Sequence, residues 1–307
     1  MLRSEAGAQY VSRVNEGTVS EVLKVSQVAV YGSSERALAV LSRKTAAANY
    51  VVDIVDFRTG TVTASWPIGE EPVMQLSGPS RGIVLSDSHA YFLTMKFGDS
   101  GASFRLSQLA LANGSIRTVP IPKSFANPRL TDFEGTPLLT SWNGIGVVKF
   151  DPATQQFEKL VSRVDVGEVV SKEEVGKRSG QIGAGAFADH VAVSGAGVFR
   201  LSKFGDLHQV LNPDLTPVDA DRSVPLGPAA DILRLFPTTS EGRPAIGVVR
   251  KVNGRVQLTC IDAEGLSVAW EKALPAGVVP QTVVGSMNGE TFYFDRSEGS
   301  IKSISKR

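Results

Sequence analysis

Apolar residues in this chain come in short runs separated by turn-forming residues, and the clearest run begins at Val51. Val51, Val52, Ile54, Val55 and Phe57 are β-branched or aromatic, side chains that pack well on a pleated surface. The run is nearly continuous rather than alternating, which predicts a strand covered on both faces. Asp56 and Thr59-Gly60 supply turn chemistry, the glycine tolerating positive φ at low cost. Thr61, Val62, Thr63 and Trp66 return as a partner strand, and Pro67 and Gly69 end it. The stretch Val51–Gly69 is therefore expected to be a hairpin.

The same grammar recurs. Arg105–Val119 turns at Asn113-Gly114, a strong hairpin signal, and Val147–Leu160, Val198–Leu211 and Val256–Trp270 repeat the pattern. Upstream of most of these lie two more short apolar runs. Four strands per unit, at a period of roughly 40–60 residues, is the pattern of β-propeller blades. The first unit is expected over Gln27–Tyr31, Ala37–Ser42, Asn49–Phe57 and Thr61–Trp66, and the second over Arg81–Leu85, Ala90–Met95, Ser103–Leu111 and Ser115–Ile121. Arg129–Phe133, Pro137–Ser141, Ile145–Phe150 and Gln156–Val161 would form the third. The fourth uses Gln181–Phe187, His190–Ser194, Gly197–Ser202 and Asp206–Leu211; the fifth uses Asp231–Phe236, Pro244–Val252, Arg255–Ile261 and Leu266–Trp270. The last unit has only Gln281–Gly285, Thr291–Phe294 and Ile301–Ile304. An N-terminal strand, Thr18–Val25, could supply its fourth member and remove an exposed edge. The expectation is an all-β, single-domain propeller over 1–307, with four-stranded antiparallel blades and residues 10–25 pairing with the C-terminal blade 272–307. Six blades is the count that follows; seven results if the two terminal hairpins belong to separate blades.

Asp53–Gly69, then Pro72, then Gly82–Thr94 (GIVLSDSHAYFLT) resembles the YVTN-type repeat of bacterial YncE-like β-propellers, and Pro280–Phe294 resembles the second half of that unit. The likeness covers roughly one and a half blades by the repeat length. Tyr91-Phe92-Leu93-Thr94 stands where the family's Tyr-Val-Thr-Asn would be. The resemblance implies a propeller architecture and says little about activity, since propellers host many.

Placing the strands this way puts the long connections Met95–Ala102, Ser162–Gly180, Asn212–Ala230 and Leu274–Val279 on one face. The other receives tight turns, Pro237–Arg243 excepted. Long loops on a rigid scaffold are where function concentrates, so a ligand is expected on the long-loop face. Gln27, Arg81, Arg129, Gln181, Asp231 and Gln281 stand at or near the starts of first strands. They would ring a channel mouth on that face, where guanidinium groups could hold a small anion or simply line a wet channel. Trp142, in a turn of the same face, joins them as a candidate ligand contact.

Composition narrows the chemistry. The 32 basic and 31 acidic residues leave a net charge of +1, which gives no electrostatic case for nucleic acid. No apolar run reaches the ~20 residues of a membrane span. One cysteine, Cys260, excludes an intrachain disulfide and is expected to be a small buried hydrophobe. The N-terminal MLRSEAGAQY lacks the apolar core of a signal peptide; a removed leader would make the protein extracytoplasmic, periplasmic or secreted. His89 and His190 are expected at equivalent turns before second strands, and His208 on an outermost strand, all away from the channel mouth, so no histidine site is expected. Gly183–Ala188 matches GxGxxA without the strand and helix that a dinucleotide site needs. Asp214, Asp219 and Asp221 read as a solvated loop.

The expected function is a binding or scaffold propeller recognising a protein, glycan or small polar ligand. No chemistry of its own, cofactor, resident metal or catalytic residue is expected, and the chain should be a monomer. The alternative is a metal-assisted propeller hydrolase or lactonase at the channel mouth, using Asp231 with Asp99, Asp219 and Asp221.

Overall fold

A computed structural model of the chain describes residues 2–5, 8–15, 18–73, 80–98, 101–122, 125, 128–141, 146–162, 190–202, 204–218, 222–275, 278, 283–287, 290–295 and 300–304. Among these residues the elements are β-strands and one 3-10 turn, and none of the described segments is a helix able to cross a membrane. The chain divides into two compact units, 1–141 with 149–158, and 142–148 with 159–307.

The first unit opens with β1 (Leu2–Glu5), β2 (Ala8–Asn15) and β3 (Thr18–Val25), a three-stranded antiparallel sheet. Next come β4 (Gln27–Ser33), β5 (Ala37–Arg43), β6 (Val51–Asp56) and β7 (Val62–Pro67), an antiparallel meander. The third sheet is built from β10 (Ile83–Leu85), β11 (His89–Gly98), β12 (Gly101–Ala110) and β13 (Ile116–Pro120). Two short strands tie these together: β8 (Glu71–Pro72) pairs with β11, and β9 (Ser80–Arg81) runs parallel to β4. The order β14 (Pro128–Phe133), β15 (Thr136–Ser141), β16 (Gly146–Asp151), β17 (Gln156–Ser162) makes a fourth sheet.

Burial explains the continuous apolar runs. One face of β5 and β6, carrying Ala39, Leu41, Val52 and Ile54, packs against Ile83, Leu85, Ala90, Phe92 and Leu109 of the next sheet. The opposite face offers Val28 and Val40 to Val11 and Val25 of the N-terminal sheet. A strand covered twice has no solvent side, so it cannot alternate. The outer strands β7 and β13 do alternate between partial and full exposure.

In the second unit, β18 (His190–Val193), β19 (Gly197–Leu201), β20 (Asp206–Leu211) and β21 (Ser223–Pro225) form one sheet. A second comprises β22 (Ile232–Ser240), β23 (Arg243–Val252), β24 (Arg255–Asp262) and β25 (Ser267–Ala273), and a third β26 (Val283–Met287), β27 (Glu290–Asp295) and β28 (Ser300–Ile304). The first two share a core in which Phe199, Leu207, Ile246, Val248 and Ile261 are buried. Cys260 is buried on β24, opposite Gly247 and Trp270.

Several expected connections are strands instead. Met95–Ala102 is the tip of a long hairpin whose pairing continues to Gly98 and Gly101. Ladder bonds are made by backbone, so Lys96 and Phe97 extend the strands although both are exposed and carry no burial pattern. Pro237–Arg243 likewise collapses to a tight turn at Glu241-Gly242, both at positive φ, and Pro237 sits inside β22 opposite Ile246. Because β22 ends its sheet, the missing N–H of Pro237 costs no ladder bond on the open side. Asn212–Ala230 contains β21. Among the described residues His190 opens β18, which packs against β22, and His89 opens β11; the strand expected before His190, 181–187, lies outside the described residues. His208 lies on β20, third in its sheet rather than outermost, between Arg200 and Ser223.

The third turn of three of the sheets repeats a chemical device. Asp56, Asp151 and Asp262 end β6, β16 and β24, and each carboxylate accepts a backbone N–H two or three residues on, from Thr59, Ala153 and Gly265 respectively. The chain then passes through positive φ, at Gly60 (70°), Gln155 (60°) and Leu266 (48°). The Asn113-Gly114 turn uses the same geometry, Asn113 Oδ1 accepting from the Ser115 N–H at 3.0 Å and Gly114 standing at φ 73°.

Gly114 also lets the indole of Trp66 approach: a Cβ there would lie 2.0 Å from the ring. Gly135 has a similar φ of 78°, but a Cβ would meet Ser86 at an ordinary 3.6 Å. Gly135→Ala should therefore lose about 1 kcal/mol from backbone strain alone, and Gly114→Ala clearly more, with a shift in tryptophan emission. Urea unfolding of the two variants compares them; equal losses would show that the Trp66 contact carries no weight.

Candidate functional site

Sheet registry builds a concave site in the first unit, between the β10–β13 sheet and the strands β14–β16. Residues opposite one another on neighbouring strands share a face. Tyr91 on β11 faces Gln108 on β12, which faces Arg117 on β13. One step along, His89 faces Ala110. This face is the reverse of the one carrying Ala90, Phe92 and Leu109, so it turns away from the β4–β7 sheet. Across from it stand Pro137, Lys149, Phe150, Pro152 and Ala153, and the cleft between encloses ≈ 630 Å³.

The floor is a fixed polar network. Tyr91 and Gln108 are 3% and 6% exposed. The Gln155 side-chain amide donates to Gln108 Oε1 at 2.8 Å and to the Pro152 carbonyl at 2.7 Å. Burial raises the Tyr91 phenol above its usual pKa, and the hydrogen bond with Gln108 counteracts part of that rise. The ring meets Phe150 edge-on, with centroids 6.0 Å apart at 66°, and His89 at 5.9 Å and 33°. His89 Nδ1 is 2.8 Å from the Ser88 hydroxyl.

Gln155 stands where the equivalent turns carry Gly60 and Leu266, all three at positive φ. Its position needs the left-handed conformation that Gly60 supplies in the first sheet, at a cost of about 1 kcal/mol for a residue with a side chain. What the longer residue gains is reach, from the β16–β17 turn to Gln108. The preceding Asp151 is occupied by the Ala153 N–H and the Thr154 hydroxyl, and these bonds hold its carboxyl below the usual pKa.

Arg117 and Lys149 line the cleft from opposite sides, and no lining residue is acidic. Neither forms an ion pair among the described residues. Ser86, Ser88 and Ser115 add hydroxyls to the rim.

Of the residues singled out in the sequence as candidate contacts, the described ones do not line the cleft. Gln27 opens β4 and accepts a hydrogen bond from the Tyr50 hydroxyl at 3.3 Å. Arg81 does not start a first strand: Gly82 separates β9 from β10, and Arg81 pairs in parallel with Tyr31. Arg129 stands second in β14, opposite Thr140. Asp231 precedes its strand, ending a 3-10 turn from Ala229 whose last N–H reaches the Pro228 carbonyl. Gln181, Gln281 and Trp142 lie outside the described residues, as do Asp99, Asp219, Asp221 and the 183–188 glycine motif. Asp214 accepts from the Thr216 N–H and hydroxyl in an exposed turn. Among the described residues no three His, Cys, Asp or Glu side chains gather into a metal site.

Sequence reasoning missed the cleft because its walls are short turns: Ser86–His89, Gly135-Thr136, Pro152-Ala153 and Ser115. The available signal was the alternation Tyr91, Gln108, Arg117, polar residues at positions where the neighbouring repeats carry apolar ones.

No protein-family model matches the sequence, and neither does any curated protein. Solved structures do resemble it. An uncharacterized protein from Listeria monocytogenes EGD-e superposes with a TM-score of 0.53 at 11% identity, over 99% of this chain and 90% of the other. A prolyl endopeptidase gives 0.54 at 12% identity over 100% of this chain, which spans 49% of that protein's chain. The β-propeller domain of Myceliophteria thermophila Cps50 (Swd1) gives 0.47 at 11% identity, over 97% and 90% of the two chains. At these identities the likeness concerns the fold alone. With its succession of antiparallel meanders, the chain is an all-β propeller of four-stranded blades.

Two outcomes follow from the cleft floor. Gln155→Ala keeps the left-handed strain and loses the bond to Gln108, so it should destabilise by about 1 kcal/mol. Gln155→Gly loses the bond but relieves the strain and should be close to neutral; urea midpoints that rank Ala above Gly would contradict the strain, and an Ala midpoint equal to the parent's would contradict the bond. The Tyr91 phenol, raised in the folded state above its ordinary 10.0, contributes stability below that pH that is lost as pH rises through the folded value. Burial raises Tyr50 as well, so an ultraviolet titration should show one fewer late-ionising tyrosine in Tyr91→Phe than in the parent.

Proposed function

We propose that this protein is a ligand-binding propeller without chemistry of its own, and that the cleft beside Tyr91 is its contact site. The observation that carries the reading is Gln155, held in a strained conformation so that its amide fixes Gln108 and, through it, Tyr91. Of the residues at this positive-φ turn position, Gly60, Gln155 and Leu266, the glutamine uses it to hydrogen-bond the neighbouring sheet. The floor is preorganised, and preorganisation lowers the ordering cost of binding. Of the ligand classes expected from sequence, a small polar molecule fits a cleft of ≈ 630 Å³ better than a protein or glycan surface would.

The roles divide among named groups. Tyr91 and Phe150 provide aromatic contact, Gln108 and the three serines provide donors and acceptors, and Arg117 and Lys149 provide charge. A fragment screen followed by NMR or thermal shift tests the proposal. Hits should cluster on Tyr91 and His89 and be lost in Ser115→Trp, which fills the cleft from an exposed turn position. Hits that ignore Ser115→Trp, with that variant folded, would place binding elsewhere.

A further inference from the structure

The chemistry of the walls says more than that the cleft is polar. Resting on the reading of the cleft as the binding site, we propose that its ligand is a compact organic anion, a carboxylate or phosphate head carried on an apolar body. Arg117 from β13 and Lys149 from β16 approach the cavity from its two walls, and every other lining residue is neutral or a histidine. The nearest carboxylate on the Lys149 strand, Asp151, has its two oxygens committed to the Ala153 N–H and the Thr154 hydroxyl. Although Lys149 attracts it through space, it stands outside the lining. The lining therefore includes two basic residues and no acidic one, with Asp151 on the strand face it shares with Lys149.

An anion held in the cleft would be attracted by both basic residues. Guanidinium suits a planar carboxylate or a phosphate bidentately, while the ammonium adds a point charge from the other side. The Ser115 hydroxyl, and that of Ser88 where His89 Nδ1 is not its acceptor, can complete the shell of the head group, the Ser86 O–H being given to the His89 carbonyl. Deeper in, Tyr91, Phe150 and Pro137 line the cleft, all three buried. That half suits an apolar, preferably planar, body. The cleft is therefore divided lengthwise, charge at the exposed rim where Arg117 stands and aromatic contact at the buried floor.

Isothermal titration with benzoate, phenyl phosphate and the neutral analogue benzamide tests this on the intact chain. Both anions should bind, and benzamide should bind at least about tenfold more weakly, the worth of one charge-assisted contact. Tighter binding of phenyl phosphate would identify the natural head as phosphate, and tighter binding of benzoate as carboxylate. Arg117→Gln and Lys149→Gln should each weaken the anions by about tenfold and leave benzamide unchanged. Arg117→Lys, which keeps the charge, should recover part of the loss. Urea midpoints identical to the parent would show that the exposed Arg117 substitutions leave the fold intact. Benzamide binding as tightly as benzoate would overturn the anion claim while leaving the cleft as a binding site. If none of the three binds and the fragment screen finds nothing at Tyr91, the binding site itself is wrong.

Discussion

Val40 and Leu41 are neighbours on one strand, and each is buried against a different sheet. A strand in that position cannot exist in a lone meander: its second face would expose Val28, Val40 and Leu38 to water. At about 25 cal/mol per Å² of apolar surface, leaving such a face uncovered is costly enough to decide the architecture. Sheet must stack on sheet, and each added sheet presents a fresh apolar face to the next. The inner strands obey this most strictly, whereas β7, β13 and β25 become progressively polar because nothing covers their outward sides.

Stacking fixes the sheets but leaves the turns free, and there the repeats diverge. The aspartate that ends the third strand recurs as Asp56, Asp151 and Asp262 because each caps the same reversal by accepting a backbone N–H. The residue at positive φ does not recur: glycine, glutamine and leucine occupy it. Where glycine stands, the turn is only a turn. Gln155 gives up conformational comfort for a hydrogen bond to the adjacent sheet. A repeat fold thus offers many equivalent positions at which a local cost can be accepted in exchange for a contact, while the stacked cores keep the framework unchanged.

Most of the sheet pattern was legible because stacked strands leave two strong traces, continuous apolar runs and Asx-Gly turns. Gln27–Tyr31, Ala37–Ser42 and Arg255–Ile261 were readable for that reason. Features carried by backbone pairing alone were not. The Met95–Ala102 hairpin and β21 bury too little to mark the sequence, and Pro237 disguised an edge strand as a connection. The starts of first strands were the least secure, since Arg81 and Asp231 depend on where a ladder begins rather than on which side chains are apolar.

The site was hidden for a related reason. Long loops attract attention because they tolerate change, yet a cleft can equally be made from tight turns if the strands beneath supply the side chains. Tyr91, Gln108 and Arg117 stand sequence-distant but in one ladder row, a relation that exists only once register is fixed. Register in turn is set by burial of Ala90, Phe92 and Leu109 on the reverse face, since a one-residue slip would exchange the two faces. The apolar core of the β4–β7 interface therefore positions the polar row on the other side of the sheet, and any loosening of that core would be felt in the cleft before it was felt in the turns that rim it.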